Sequence, residues 1–411
     1  MVAPARPASR PDPTRPLRFG VEEEFVLVDA VTGVCVPRAG QVLADAAMTL
    51  GDRAQAEFCA TQVEGCTPPV ETPEQLRAEL ASMRHALAAA AGRAGCLLVA
   101  SGTPVLPSPH PLPVSDGARY HRISRHMGPV ADQPGGEMCG CHVHVGDLSR
   151  REALAVGNRL RPWLPVLHAV TTNSPFCEGR DRGVASSRTL CYGRWPTVGP
   201  APLLDESGYE RTVEALVSSG VLLDRRMVYW YSRPSEHLPT LEVRVADVNA
   251  DLDVTVLLAV LVRALVEMSL REEAAGAPMR PVAEDALCRA HRRAARVGLS
   301  ADGVDAFTGR SRPAPLLLAD LLEHAAPGLD ALGDLGLARR LAARTVAAGT
   351  GADRQRAAFA CRGSLTDVVA ELAAVTVGTT ASADRSTALA RSGGRSRQDR
   401  AGGTAAAPGR A

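Results

Sequence analysis

The sequence predicts an α+β fold, in which one antiparallel sheet with a polar, concave, ligand-binding face is backed and capped by helices. Three observations predict it. Four short stretches alternate like strands, and each sets a pair of polar residues on one face: Glu22/Glu24, Gln62/Glu64, His142/His144 and Glu242/Arg244. Amphipathic helical spacings with capping signals separate them. From Asp253 onward the pattern is helical, with no strand-like alternation.

The totals narrow the function. At 411 residues the chain can bury a large core, as one large domain or two intimate ones, and no repeat is visible. With 46 basic and 45 acidic residues the net charge is +1, so no global field favours nucleic acid or a membrane surface. The expected partners are small-molecule substrates, with a homodimer left open. None of the 46 basic residues is lysine, which excludes a P-loop lysine, a Schiff-base lysine and a lysine general base. Phosphate has to be held by arginine forks, backbone N–H groups and metal. Ten scattered cysteines and a Pro/Arg-rich start without an apolar signal core point to a cytoplasmic protein with reduced thiols. The run Val254 to Val262 is too short to span a bilayer and reads as a buried helix.

Taken in order, residues 1–16 are proline-rich and expected to be disordered. The first strand, Arg18 to Asp29, points Glu22 and Glu24 one way and Glu23 the other. Two carboxylates on one face repel unless a metal, an arginine or a proton lies between them, and a divalent cation is the expectation; a solvated edge strand is the plainer alternative. Val34 to Val36 is the expected hairpin partner, followed by a helix over Gln41 to Leu50 and the Gln62/Glu64 strand. Thr72, Pro73 and Gln75 form a capping box opening a covering helix to about Gly92. A buried strand, Cys96 to Ala100, and a helix, Gly117 to Met127, come next.

In Cys139-Gly-Cys-His-Val-His-Val-Gly146 the histidines share one face and the cysteines the other. A zinc site of all four is awkward within one strand, and only one histidine is expected to touch a metal. Ser149 and Glu152 cap a helix toward Thr172 that is interrupted at Pro162 and Pro165. A loop from Asn173 follows, ending in Ser186-Ser187-Arg188; its Cys177 has no adjacent base and reads as inert. Then come a helix over 208–224, a strand over Met227 to Ser232, and the strand Thr240 to Ala246 with Leu241, Val243 and Val245 facing away from Glu242 and Arg244. For that last pair the plainest reading is a salt bridge on a half-exposed sheet. Helices are expected over Asp253–Glu272, Val282–Val297, Pro315–Ala325, Asp330–Ala348 and Asp353–Val375, then a disordered tail, 378–411. The domain is thus 17–377.

If the four polar faces converge, the ligand set is carboxylate-dominated with one imidazole, which suits Mg²⁺ or Mn²⁺ better than zinc. Hard cations beside arginines can hold a triphosphate such as ATP without a P-loop.

The motifs Phe-Gly-Val-Glu-Glu-Glu-Phe (19–25), Gln-Val-Glu (62–64), Gly-Cys-His-Val-His-Val-Gly (140–146), Asn-Ser-Pro-Phe (173–176), Ala-Ser-Ser-Arg (185–188), Arg-Pro-Ser (233–235) and Leu-Glu-Val-Arg (241–244) occur in that order. Together they resemble glutamate–cysteine ligase family 2, the YbdK-type carboxylate–amine ligases. The resemblance implies a glutamine-synthetase-like catalytic fold and ATP-dependent γ-glutamyl amide formation through an acyl phosphate. It also implies Glu22, Glu24, Glu64 and Glu242 as metal ligands completed by His142 or His144, with both histidines and Arg244 near the nucleotide. Arg188, Arg233 and Arg244 become the catalytic candidates for phosphate and substrate carboxylate. Cys177, Arg182 and Tyr231 depart from the family pattern, in loops expected to shape the acceptor pocket. A low-activity metal- and nucleotide-binding homologue and a metal-dependent amidohydrolase are the rival readings.

Overall fold

Strand β1 (Phe19–Asp29) pairs with three others at once in the computed structural model, which describes residues 17–379. The expected disordered termini, apart from Gly378 and Thr379, lie outside the described residues. After helix α1 (Ala39–Leu50) come β2 (Ala54–Ala56), β3 (Gln62–Cys66), α2 (Pro73–Arg93) and β4 (Cys96–Val99), and then α3 (Ala118–Met127), β5 (Gly140–Gly146), α4 (Arg150–Leu160) and α5 (Leu164–Val170). A small hairpin, β6 (Phe176–Cys177) and β7 (Arg180–Asp181), leads to α6 (Ser187–Tyr192), α7 (Glu206–Ser218), β8 (Ser232–Pro234) and β9 (Thr240–Asp247). The rest is helical except for a second hairpin: α8 (Leu252–Ala274), α9 (Glu284–Val297), β10 (Asp302–Val304), β11 (Ser311–Pro313), α10 (Ala314–Ala331), α11 (Leu335–Ala348), α12 (Gly351–Arg362) and α13 (Leu365–Thr376).

The main sheet is antiparallel, ordered β2-β3-β1-β5-β9-β8, with β4 on the second half of β1. One face of β1 (Phe19, Val21, Phe25, Leu27) is buried in the core. Beneath it runs α8, buried without interruption from Asp253 to Val266 and packed on α2, α4, α10 and α11. The apolar run that is too short for a membrane span therefore serves as the central core helix, each buried Leu or Val contributing roughly 1.5–3 kcal/mol. No helix among the described residues is long and apolar enough to cross a membrane.

Local signals place most elements as expected. Both capping boxes form: Thr72 with Gln75 opens α2, and Ser149 with Glu152 opens α4. Helix α4 stops at Leu160, before Pro162, and α5 restarts with Pro165 in its first turn. The differences have local causes. Val34 to Val36 makes one bridge, Cys35 to Val28, rather than a strand. Helix α7 ends at Ser218, ahead of Gly220 with its left-handed φ of 77°. The strand expected over 227–232 does not form, and β8 begins only at its last residue, because the Asp224 carboxylate caps a 3-10 turn at Arg225–Met227 and Thr197 Oγ1 takes the Tyr229 N–H. The helix expected over 353–375 divides at Gly363, in αL, before the Ser364 cap of α13. The β10/β11 hairpin also interrupts the helical half, where no strand was expected.

Candidate active site

The register of the sheet brings the polar pairs together. Glu22 lies opposite His142, Glu24 opposite Glu64, His144 opposite Glu242, and Glu242 opposite Arg233. A bulge in β9 sets two residues, Arg244 and Val245, against His142, since Val143 pairs with Val243 but Cys141 with Ala246. The bulge corrects the alternation expected for this strand: Val245 and Ala246 are both buried in the core, and Asp247 returns to the face of Glu242, opposite Gly140.

All five residues expected to bind metal fall into two ligand clusters. Glu22, His142 and Glu242 form one; Glu24, Glu64 and His142 form the other; within each the donor atoms lie within 4.8 Å of one another. The imidazole of His142 is shared, with Nδ1 3.2 Å from Glu22 Oε2 and 4.0 Å from Glu242 Oε1, and Nε2 3.6 Å from Glu24 Oε1. His144 stands outside both clusters, between Thr240 Oγ1 at 2.9 Å and Glu22 Oε1 at 3.3 Å. The buried Nε2 of His142 has no hydrogen-bond partner, whereas the contact of His144 with Glu22 is made by its Nε2. An orphaned imidazole nitrogen beside crowded carboxylates fits a divalent cation, and the oxygen-rich donor set fits a hard one.

The electrostatics agree with that fit. Burial, followed by repulsion from Glu22, Glu57 and Glu24, pushes the Glu64 carboxyl well above its ordinary value. Burial and Glu24 push Glu57 up to about 7. Burial opposes the charged form of Glu242, but Arg233 and Arg244 outweigh it and hold the carboxyl well below the usual range. Burial and the neighbouring Arg244 lower His142, which keeps its ring neutral at pH 7, the form that can ligate. His144 is raised, because Glu22 and Glu242 outweigh its burial.

Beside the clusters opens a cavity of about 80 Å³, lined by Glu24, Glu57, Gln62 and the cations Arg119, Arg188 and Arg244, with Phe58, Tyr192, Trp195 and Tyr229 as aromatic walls. Of the three catalytic candidates, Arg188 and Arg244 face this cavity. Arg233 is used elsewhere: its Nε donates to Glu242 Oε2 at 2.9 Å and its Nη1 to the carbonyls of Val228 and Arg226. The expected Glu242–Arg244 pair does form, and Glu242 is only 3 % exposed, so it is buried rather than on a half-exposed sheet. Gln62, expected on the polar face with Glu64, donates to Met138 O and Cys139 Sγ. Glu57 is the carboxylate that motif reading missed; its signal was an acid at the start of the Gln62/Glu64 stretch. Cys177, Arg182 and Tyr231 do not line the cavity: Tyr231 packs on His168 and His291 behind it. A larger cavity of about 640 Å³, between α2, α8, α12 and α13, is lined by none of the residues of the two clusters, so size alone does not mark the site.

A family profile, glutamate–cysteine ligase family 2, matches residues 18–371. The chain belongs to that family. A Salinispora tropica protein provisionally named glutamate–cysteine ligase 2 is 44 % identical over 374 residues, 90 % of this chain and 98 % of that protein. Its Salinispora arenicola counterpart is 46 % identical over 353 residues, 85 % and 92 % of the two chains. Among solved structures, the glutamate–cysteine ligase of Francisella tularensis in complex with AMP superposes with a TM-score of 0.61 at 12 % identity, covering 91 % of this chain and 92 % of that one. The bifunctional glutathione synthetase of Pasteurella multocida gives 0.53 at 16 %, covering 89 % and 57 %. At such identities the likeness shows the fold: this family 2 chain shares the α+β architecture of a glutamate–cysteine ligase.

Proposed function

We propose that the protein is an ATP-dependent carboxylate–amine ligase of the glutamate–cysteine type, joining the γ-carboxylate of glutamate to cysteine or a related amine through an acyl phosphate. The observation that carries this reading is the pair of acid clusters sharing His142 beside a cavity lined by Arg119, Arg188 and Arg244. Glu22 and Glu242 would hold one Mg²⁺ or Mn²⁺ and Glu24 and Glu64 another, with the single free nitrogen of the neutral His142 ring available to one of them and Glu57 at hand. When bound, such ions neutralise the phosphates of ATP and the charge that develops on phosphoryl transfer. Arg188 and Arg244 supply fixed guanidinium donors at the cavity, and Arg233 holds the Glu242 carboxylate in place. With no lysine available, the chain's part in the reaction is positioning and electrostatic stabilisation.

The test is phosphate release from ATP, with glutamate and other carboxylates screened against a panel of amines and the products weighed by mass spectrometry. Release that needs nucleotide, Mg²⁺ or Mn²⁺ and both substrates is expected. Turnover without nucleotide, or full activity with Zn²⁺ alone, would point to an amidohydrolase and sink the ligase reading; binding of nucleotide with no turnover would mark a low-activity homologue.

A further inference from the structure

Arg188 reaches the cavity from a six-residue helix, α6, and nothing in its own motif explains how so short a segment holds a guanidinium still. The explanation lies on β9. Asp247, 1 % exposed, accepts three hydrogen bonds: from Asn173 N at 2.9 Å and Ser174 Oγ at 2.7 Å on Oδ2, and from Ser186 Oγ at 2.9 Å on Oδ1. Ser186 is the N-cap of α6, and Ser174 Oγ in turn accepts the Arg188 N–H at 3.1 Å. The same carboxylate lies 4.0 Å from Arg188 Nη1. Two glycines clear the space. A Cβ on Gly102 would meet Asp247 Cγ at 2.8 Å, and one on Gly140 would collide with Arg188 Nη2. The guanidinium is thus seated between Gly140, the Arg244 carbonyl at 3.4 Å and the Tyr192 ring.

We propose that Asp247 is a positioning residue of this site: it ties the Asn173–Ser174 turn and the α6 cap to the end of β9, and so fixes Arg188 where it faces the clustered acids. The inference rests on the ligase reading for the role of Arg188, but the placement itself is independent of it. Asp247 acts at all on this face because of the bulge, without which alternation would turn it into the core.

The variants are Asp247→Asn, Arg188→Lys and the double variant, compared by ATP- and amine-dependent phosphate release, melting temperature and the crystal structure of Asp247→Asn. Asparagine can keep the acceptor for Asn173 and Ser174 while losing the charge that faces Arg188. A fall in turnover of about 100-fold is expected, the scale of a displacement of about 1 Å, with the double variant no worse than Arg188→Lys. A merely structural aspartate would instead multiply the two losses. Should Asp247→Asn fail to fold, Ser174→Ala cuts the same link and is expected to lower turnover about 10-fold, again without adding to Arg188→Lys. Normal turnover with Arg188 unmoved, or multiplied losses, overturns the proposal. If the wild type releases no phosphate with any amine, the ligase reading fails, and displacement or retention of Arg188 in the variant crystal still decides this one.

Discussion

The two faces of β1 treat the same side chain in opposite ways. On the core face, Glu23 is fully buried and fully matched: Arg84 donates Nε to Oε2 at 2.8 Å and Nη2 to Oε1 at 2.5 Å, Thr255 adds a hydroxyl at 2.9 Å, and the remaining guanidinium protons meet the carbonyls of Asn249 and Ala250. One residue to either side, Glu22 and Glu24 face other carboxylates and an imidazole with an orphaned nitrogen. The first arrangement is finished without a ligand and the second is not. A buried charge completed by the protein serves the fold; one left for a partner to complete serves binding.

The comparison can be broken most decisively by neutralising one acid on each face. On the proposed ligase reading, Glu24→Gln should leave the melting temperature nearly unchanged while turnover falls by orders of magnitude, because one ligand charge would be lost where the phosphoryl group is to be neutralised. Steady-state phosphate release over a range of Mg²⁺ measures this, and a variant with normal metal dependence would remove Glu24 from the site. Glu23→Gln should do the reverse. It leaves Arg84 buried beside a neutral partner, at a cost of about 3–5 kcal/mol, read as a lower denaturation midpoint; whatever protein stays folded should turn over normally.

A buried pair of neutral imidazoles extends the comparison to pH. His168 and His291 lie Nδ1 to Nδ1 at 3.5 Å behind α6, and burial holds His168 down to about 3 and His291 well below its ordinary value. Both stay neutral in the folded chain while the unfolded chain takes up protons below about pH 6.5. Stability should therefore fall as pH drops from about 6.5, by up to roughly 1.4 kcal/mol per pH unit for each histidine. Denaturation of the wild type and of His291→Asn between pH 7 and 5 checks the sign: the variant should show the shallower dependence. The smallest effect belongs to Glu64→Gln. Removing one of four crowded carboxylates should stabilise the metal-free protein by about 1 kcal/mol at pH 7, and the gain should vanish when Mg²⁺ is added; destabilisation without metal would mean the acids are not in conflict.

Much of this could be read from residue order. The polar pairs at Glu22/Glu24, His142/His144 and Glu242/Arg244 were visible because a strand alternates, and both capping boxes because their side chains act over three residues. What escaped depends on contacts far along the chain. Glu57 joins the acids only through folding of the segment before β3, and Glu23, which alternation turns to the other face, finds its partner in Arg84, sixty-one positions away. Arg233 reads as a substrate ligand by motif, and its bond to Glu242 becomes visible only in the fold. The break at Gly363 and the hairpin at 302–313 rest on single glycine and turn geometries that a helical periodicity overrides.

The extra residue in β9 makes that strand behave like a reading frame. Upstream of Val245 the parity of a position tells which side it serves; downstream the parity is inverted, and Asp247 depends on the inversion. Substitutions along β9 can be judged one at a time, but a single-residue deletion at 244–246 would reassign every later side chain of the strand. Length variation among natural relatives should therefore be rarer here than in the surrounding loops.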